Sequence, residues 1–204
     1  MDLILNFVII FFSLVLHEVS HGHAAKMLGD DTAEKYGRLS LNPLKHIDMM
    51  GTILVPLLMI MLAKITNTRP IVFGWAKPVP VNPYNLKNPR RDMALVALAG
   101  PLSNFLLASV MAIIIRLNGF LGLSSDIISW LIIIVYLNVL WMVFNLVPIP
   151  PLDGSKILFY FVKNADLEAT LNRFGFMMLM IIIFYGFGPI QTLTGLITKF
   201  LIGG

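Results

Sequence analysis

The sequence predicts an all-α polytopic membrane protein, a helical bundle of about four to six membrane segments with a short re-entrant or interfacial β element. Three observations lead there. Of 204 residues, 57% are hydrophobic before glycine is counted, against roughly 45–50% with glycine in soluble domains. Charged residues make up only 13%. The apolar residues also fall in long uncharged blocks separated by short basic or Pro-rich stretches, as in chains that traverse a bilayer. The length holds about six segments of ~20 residues at most, so residues 1–204 read as a single membrane-embedded domain. With no cysteine, disulfides, thiolate metal sites and cysteine nucleophiles are excluded. The net charge of +4 fits basic loops on one membrane face rather than a nucleic-acid binder.

The first helix occupies about 3–28. Met1-Asp2 lacks the basic region of a signal peptide and no small-residue cleavage site follows Leu3 to Leu16, so this segment is expected to be retained. Gly29-Asp30-Asp31 ends it. The next block, 49–63, has ~15 residues that span only about 22 Å as a helix, short of a ~30 Å hydrocarbon core, and is read as non-spanning or re-entrant. An interfacial loop follows at 64–92, then helices at 93–115 and 127–152. The last segment, 174–202, is interrupted by Gly186-Phe187-Gly188-Pro189 and is either one broken helix or two short ones. With 49–63 not crossing, one face collects Lys26, Lys35, Arg38, Lys45, Lys64, Arg69, Lys77, Lys87, Arg90, Arg91, Lys156, Lys163 and Arg173. Arg116 lies opposite and Lys199 is unassigned. By the positive-inside rule the basic face is cytosolic and the N-terminus is outside.

His17-Glu18-Val19-Ser20-His21 is an H-E-x-x-H motif. Residues four apart share a helix face, so two imidazoles can hold one zinc while Glu18, ~100° round the helix, reaches a water on the metal. Burying such a set in lipid with no metal would cost several kcal/mol. A catalytic zinc takes a third protein ligand. His23 points about 200° away from His21 and suits a supporting or packing role; His46 sits in a loop and reads as an interfacial residue. Asp153, beyond the helix-breaking Pro148, Pro150 and Pro151, is either the N-cap of a following helix or the ligand. The charge pattern puts it at the same cytosolic depth as His21, which favours the ligand.

These residues resemble the site-2 protease family of intramembrane zinc metalloproteases. The likeness rests on His17-Glu18-Val19-Ser20-His21, on Ala99-Gly100-Pro101-Leu102-Ser103-Asn104, and on Asn145 through Pro148 to Leu152-Asp153-Gly154. It implies one Zn²⁺ held by His17, His21 and Asp153, Glu18 as general base, and Asn145 near the scissile carbonyl. It also implies a transmembrane protein substrate, often an anti-sigma factor or a membrane-bound regulator, and a place in the bacterial cytoplasmic membrane with the active site toward the cytosol. Neither a PDZ nor a CBS domain is expected. Asn145 can serve either as a donor to a developing oxyanion or as interhelical glue. Gly100, Pro101 and Asn104 read as small residues and a kink for close helix packing. The stretch Pro70 to Asn82, β-branched and bounded by turn residues, is expected to form a short hairpin or edge strand that pairs with an unwound substrate, or else a Pro-rich loop anchored by Trp75. A transporter or channel with a transient metal site is the competing reading.

Overall fold

The computed structural model describes residues 3–68 and 74–204. Its centre is built from α1 (Leu3–Met27), α4 (Pro89–Arg116) and α6 (Ser125–Asn145), each long and apolar enough to cross a membrane. α4 packs against both of the others. Lipid tails give apolar helices no hydrophobic push toward one another, so close approach has to come from small side chains. On α4, Ala97, Pro101, Asn104, Ala108 and Ala112 recur every three or four residues, and all are buried. Val135, Val139 and Val143 of α6 meet this face, and Leu179 and Ile190 close the cluster. α2 (Thr32–Lys35) and α5 (Asn118–Leu121) are single turns in the connections.

The short apolar block begins as a π-helical turn at Met49–Leu54 and continues as α3 (Val55–Ile65). The chain comes back to where it left: Trp75 N–H donates to Gly51 O at 3.2 Å, and a Cβ on Gly74 would lie 2.6 Å from the same oxygen. The two ends of the excursion through α3 thus lie side by side.

α6 stops at Asn145 rather than at 152. Pro148, Pro150 and Pro151 supply no backbone donors, so residues 146–152 turn and a new helix, α7 (Asp153–Phe161), restarts at Asp153. The last segment is two helices, α8 (Ala165–Tyr185) and α9 (Phe187–Ile202), broken at Gly186. α8 starts well before residue 174 because the Asn164 side chain caps it, accepting from the N–H groups of Asp166 and Leu167 at 3.0 Å each.

α8 has the length and hydropathy of a membrane span, and its contacts, with those of α9, show where the last segment starts and ends. Near its start, Glu168 pairs with Arg90 in the first turn of α4 at 2.5 Å. Past its end, the Phe187 ring lies 6.4 Å from that of Phe144 in the last turn of α6. α9 then runs on to where α4 stops, and Arg116 donates to Leu201 O at 2.7 Å and to Phe200 O at 2.5 Å. α8 and α9 thus make one traverse between them. Lys199 belongs to the same end as Arg116, opposite the basic face.

The expected β element needs correction. Among the described residues there is no strand; Pro70 to Phe73 lie outside them. Gly74 to Asn82 form an irregular strap whose alternate N–H groups go to three unrelated acceptors, Gly51 O from Trp75, His46 O from Lys77 and a carboxylate from Val79. Pro78 and Pro80 carry no N–H, so the other edge of the strap lacks the donors a ladder needs.

Candidate active site

α1 and α4 run antiparallel, and this places the two histidines of one helix face against two acceptors on the other. His17 Nδ1 lies 2.7 Å from Asn104 Oδ1, and His21 Nδ1 lies 2.7 Å from the Val96 carbonyl. A main-chain carbonyl can only accept, so His21 carries its proton on Nδ1 and presents the lone pair of Nε2. The Nε2 atoms of His17 and His21 are 3.0 Å apart. Asp153 Oδ2 completes a triangle, 3.1 Å from the first and 3.2 Å from the second. His17, His21 and Asp153 are 4%, 9% and 7% exposed, so these three acceptor atoms converge well inside the protein.

Such an arrangement fits a cation. Four ligand atoms arranged tetrahedrally at zinc's ~2.0–2.1 Å bond length lie about 3.3 Å apart, close to the sides of this triangle. The donor set of two imidazole nitrogens and one carboxylate is one that zinc accepts.

Neighbouring groups fix the triangle's corners. Gly100 is where the imidazoles come close: an added Cβ would sit 2.5 Å from His21 Cε1 and 2.6 Å from His17 Cε1. Asp153 is the first residue of α7, with Leu152 at the N-cap position. The capping alternative for Asp153 is therefore closed, and its carboxylate is engaged by His17, His21 and Lys156, whose Nζ lies 3.2 Å from Oδ1. Gly154 permits this turn, since a Cβ there would meet Leu146 O at 2.2 Å.

Glu18 lines the same cavity, half-buried, with Oε2 accepting from Val79 N–H at 2.8 Å. The cavity holds about 350 Å³, room for about ten waters. Val79, Val81, Met93, Val96 and Ala97 give it apolar walls. Asn145 also lines it, though its Nδ2 donates back to Trp141 O at 3.0 Å, which leaves one amide hydrogen free. His23 is exposed and away from the cluster. His46 is fully buried beneath the strap with Nε2 2.7 Å from Ser40 O, and burial pushes its pKa down.

Sequence reasoning missed Lys156, the Val79 N–H and the Val96 carbonyl. The last two are main-chain groups, which carry no signal in side-chain identity. Asn104 is more than a packing residue, because its amide oxygen bonds His17.

The comparisons with known proteins agree with this geometry. The sequence profile of peptidase family M50 matches residues 120–182. YwhC of Bacillus subtilis and Rip2 of Mycobacterium tuberculosis, each named as a putative zinc metalloprotease, are 40% identical over 152 residues and 32% identical over 146 residues. Each alignment takes in 72% of this chain, with 64% of YwhC and 52% of Rip2. Zinc metalloprotease MJ0392 of Methanocaldococcus jannaschii is 22% identical across 97% of this chain and 47% of its own length. The chain thus spans between about half and just under two thirds of these relatives. No solved structure matches it. The H-E-x-x-H helix and the Asp153 turn thus go together with a likeness to peptidase family M50 over residues 120–182 and, across 72% of the chain, to proteins named as zinc metalloproteases.

Proposed function

We propose that this chain is a zinc metalloendopeptidase that hydrolyses peptide bonds within or beside the transmembrane helices of other membrane proteins, from the cytosolic side. The observation that carries the reading is the convergence of His17 Nε2, His21 Nε2 and Asp153 Oδ2 in a cavity that also holds Glu18. These three residues would hold the metal. When bound, zinc supplies Lewis-acid polarisation of a peptide carbonyl and lowers the pKa of a water toward 7.

The protein's own groups do the rest. Val79 N–H holds Glu18 Oε2, which leaves Oε1 to take the proton from the attacking water and pass it to the leaving amine. Lys156 holds Asp153 Oδ1 and so presents Oδ2 to the histidines. The free amide hydrogen of Asn145 is available to a developing oxyanion. The apolar walls suit a substrate segment drawn from a membrane helix. The basic face, which by charge lies in the cytosol, is the end from which water reaches the site.

Replacing Glu18 by Gln tests this directly. The variant should keep one zinc per chain by elemental analysis and lose at least ~10²-fold in cleavage of a transmembrane peptide in detergent. Zinc flux through wild-type proteoliposomes with no cleavage would instead establish the transporter reading.

A further inference from the structure

Behind His17, away from the cavity, three membrane helices share a chain of buried polar side chains. Asn104 Nδ2 lies 3.3 Å from Ser13 O and 2.9 Å from Asn138 Oδ1. Asn138 Nδ2 lies 2.9 Å from Ile134 O and 3.0 Å from Ser13 Oγ, which in turn donates to Ile9 O at 2.9 Å. Asn104 and Asn138 are fully buried and Ser13 is 2% exposed.

Ordinarily an amide's oxygen and nitrogen are assigned by inference. Here main-chain carbonyls remove the choice. Ile9 O can only accept, so the Ser13 hydroxyl donates to it and must accept from Asn138. Ile134 O can only accept, so Asn138 faces it with its NH₂ and turns its oxygen to Asn104. Ser13 O can only accept, so Asn104 faces it with its NH₂ and turns its oxygen to His17. The one group left to supply a proton on the His17–Asn104 contact is Nδ1 of the imidazole.

We propose that Asn138 and Ser13 are positioning residues that fix the His17 proton on Nδ1 by locking the orientation of the Asn104 amide, so that Nε2 always presents its lone pair to the metal. The inference rests on the zinc reading above. It assigns a role to a pair of polar side chains that touch neither the cavity nor the three convergent atoms. If Asn138 is lost, the Asn104 amide is held by Ser13 O alone at 3.3 Å and can turn its NH₂ toward His17. That turn would favour a proton on Nε2, where it blocks the metal.

Two measurements on the whole chain in detergent test this. Zinc affinity, by competition with a chromophoric chelator, should weaken about 10-fold or more in Asn138→Leu, within the 10–100-fold range for loss of such supporting groups. Asn104→Leu should weaken it too, and the double variant should be no worse than Asn104→Leu, because the path runs through Asn104. Asn138→Asp, protonated in this apolar setting, keeps an oxygen toward Asn104 and a hydroxyl toward Ile134 O, and should recover affinity to within about threefold of wild type. Nitrogen-15 spectra of the zinc-free protein should show His17 as the Nδ1–H tautomer in wild type and as a mixture in Asn138→Leu. If Asn138→Leu does not fold, Asn138→Ala is read the same way.

Unchanged affinity and tautomer in a folded Asn138 variant would overturn the proposal, as would a variant that only lowers the thermal midpoint of the zinc-free protein. So would additive losses in the double variant. A wild type that takes up no zinc would overturn the zinc reading instead, while the tautomer spectra would still decide the role of Asn138.

Discussion

At the scale of single residues, the site depends on what is missing from Gly100. A Cβ there would come closer than 2.7 Å to both imidazoles, so Gly100→Ala has to push them off the triangle. It is predicted to weaken zinc at least ~10-fold, by the same chelator competition, with helix content unchanged in circular dichroism. Lys156→Met should be milder. The Lys156 side chain is 37% exposed and its pairing with Asp153 is partly screened by water, so zinc affinity should change by less than about tenfold. The H-E-x-x-H spacing and Asp153 were legible because they are chemical groups at a recognisable interval. The roles of Gly100 and Asn104 were not. In sequence both look like packing residues of a membrane helix, and only the antiparallel register of α1 and α4 turns Gly100 toward the rings and Asn104 toward His17.

At the scale of elements, the strap over Glu18 is held down on either side of Val79. Arg38 Nη2 donates to Lys77 O at 2.7 Å, and Asn82 N–H donates to Asp30 Oδ2 at 2.7 Å. Replacing 74–81 with a Gly/Ser linker should remove cleavage while zinc content stays at one per chain. Asp30 is fully buried and also accepts from Asn85 Nδ2 and from the N–H and hydroxyl of Thr32. Burial alone would raise its pKa, but these hydrogen bonds to the charged form outweigh burial and hold it below the usual 3.8. As pH falls, the unfolded chain therefore takes up this proton first. The stabilisation is whole above the usual value and is lost as pH drops through the lower, folded one. Asp30→Asn should lower stability by about 1–3 kcal/mol at pH 7, because a donor then faces donors, and should flatten the acid limb of the thermal midpoint against pH. The strand reading failed here because β-branched residues record a preference for extended chain. Whether a ladder forms depends on which donors are present and what lies opposite them, and Pro78, Pro80 and the carboxylate of Glu18 decide both.

At the scale of the whole molecule, the path of the chain can be read with labels, since it has no cysteine of its own. Single cysteines at Gly119 and Gly204 should react with an impermeant maleimide from one face of sealed vesicles, and one at Lys163 from the other. Reaction of Gly204→Cys from the Lys163 side would contradict the joint traverse of α8 and α9. The distribution of basic residues already carried most of this topology, because charge asymmetry is a property of the whole chain. It could not place Lys199 or the start of α8. The first depends on Arg116 reaching the last carbonyls of α9, a contact between distant parts of the chain, and the second on the local Asn164 cap.

The triangle also joins parts of the chain that are far apart in sequence. His21 and Asp153 are separated by about 130 residues, so a metal held between them closes a long loop and restricts the unfolded chain as a cross-link would. The proposed zinc is then a clasp between the first helix and the seventh as well as a reagent. Stripping it should loosen the protein, and substituting His17, His21 or Asp153 should cost stability together with activity. Glu18 stands outside this closure. Of His17, Glu18, His21 and Asp153, it is the one whose replacement separates the chemistry from the architecture.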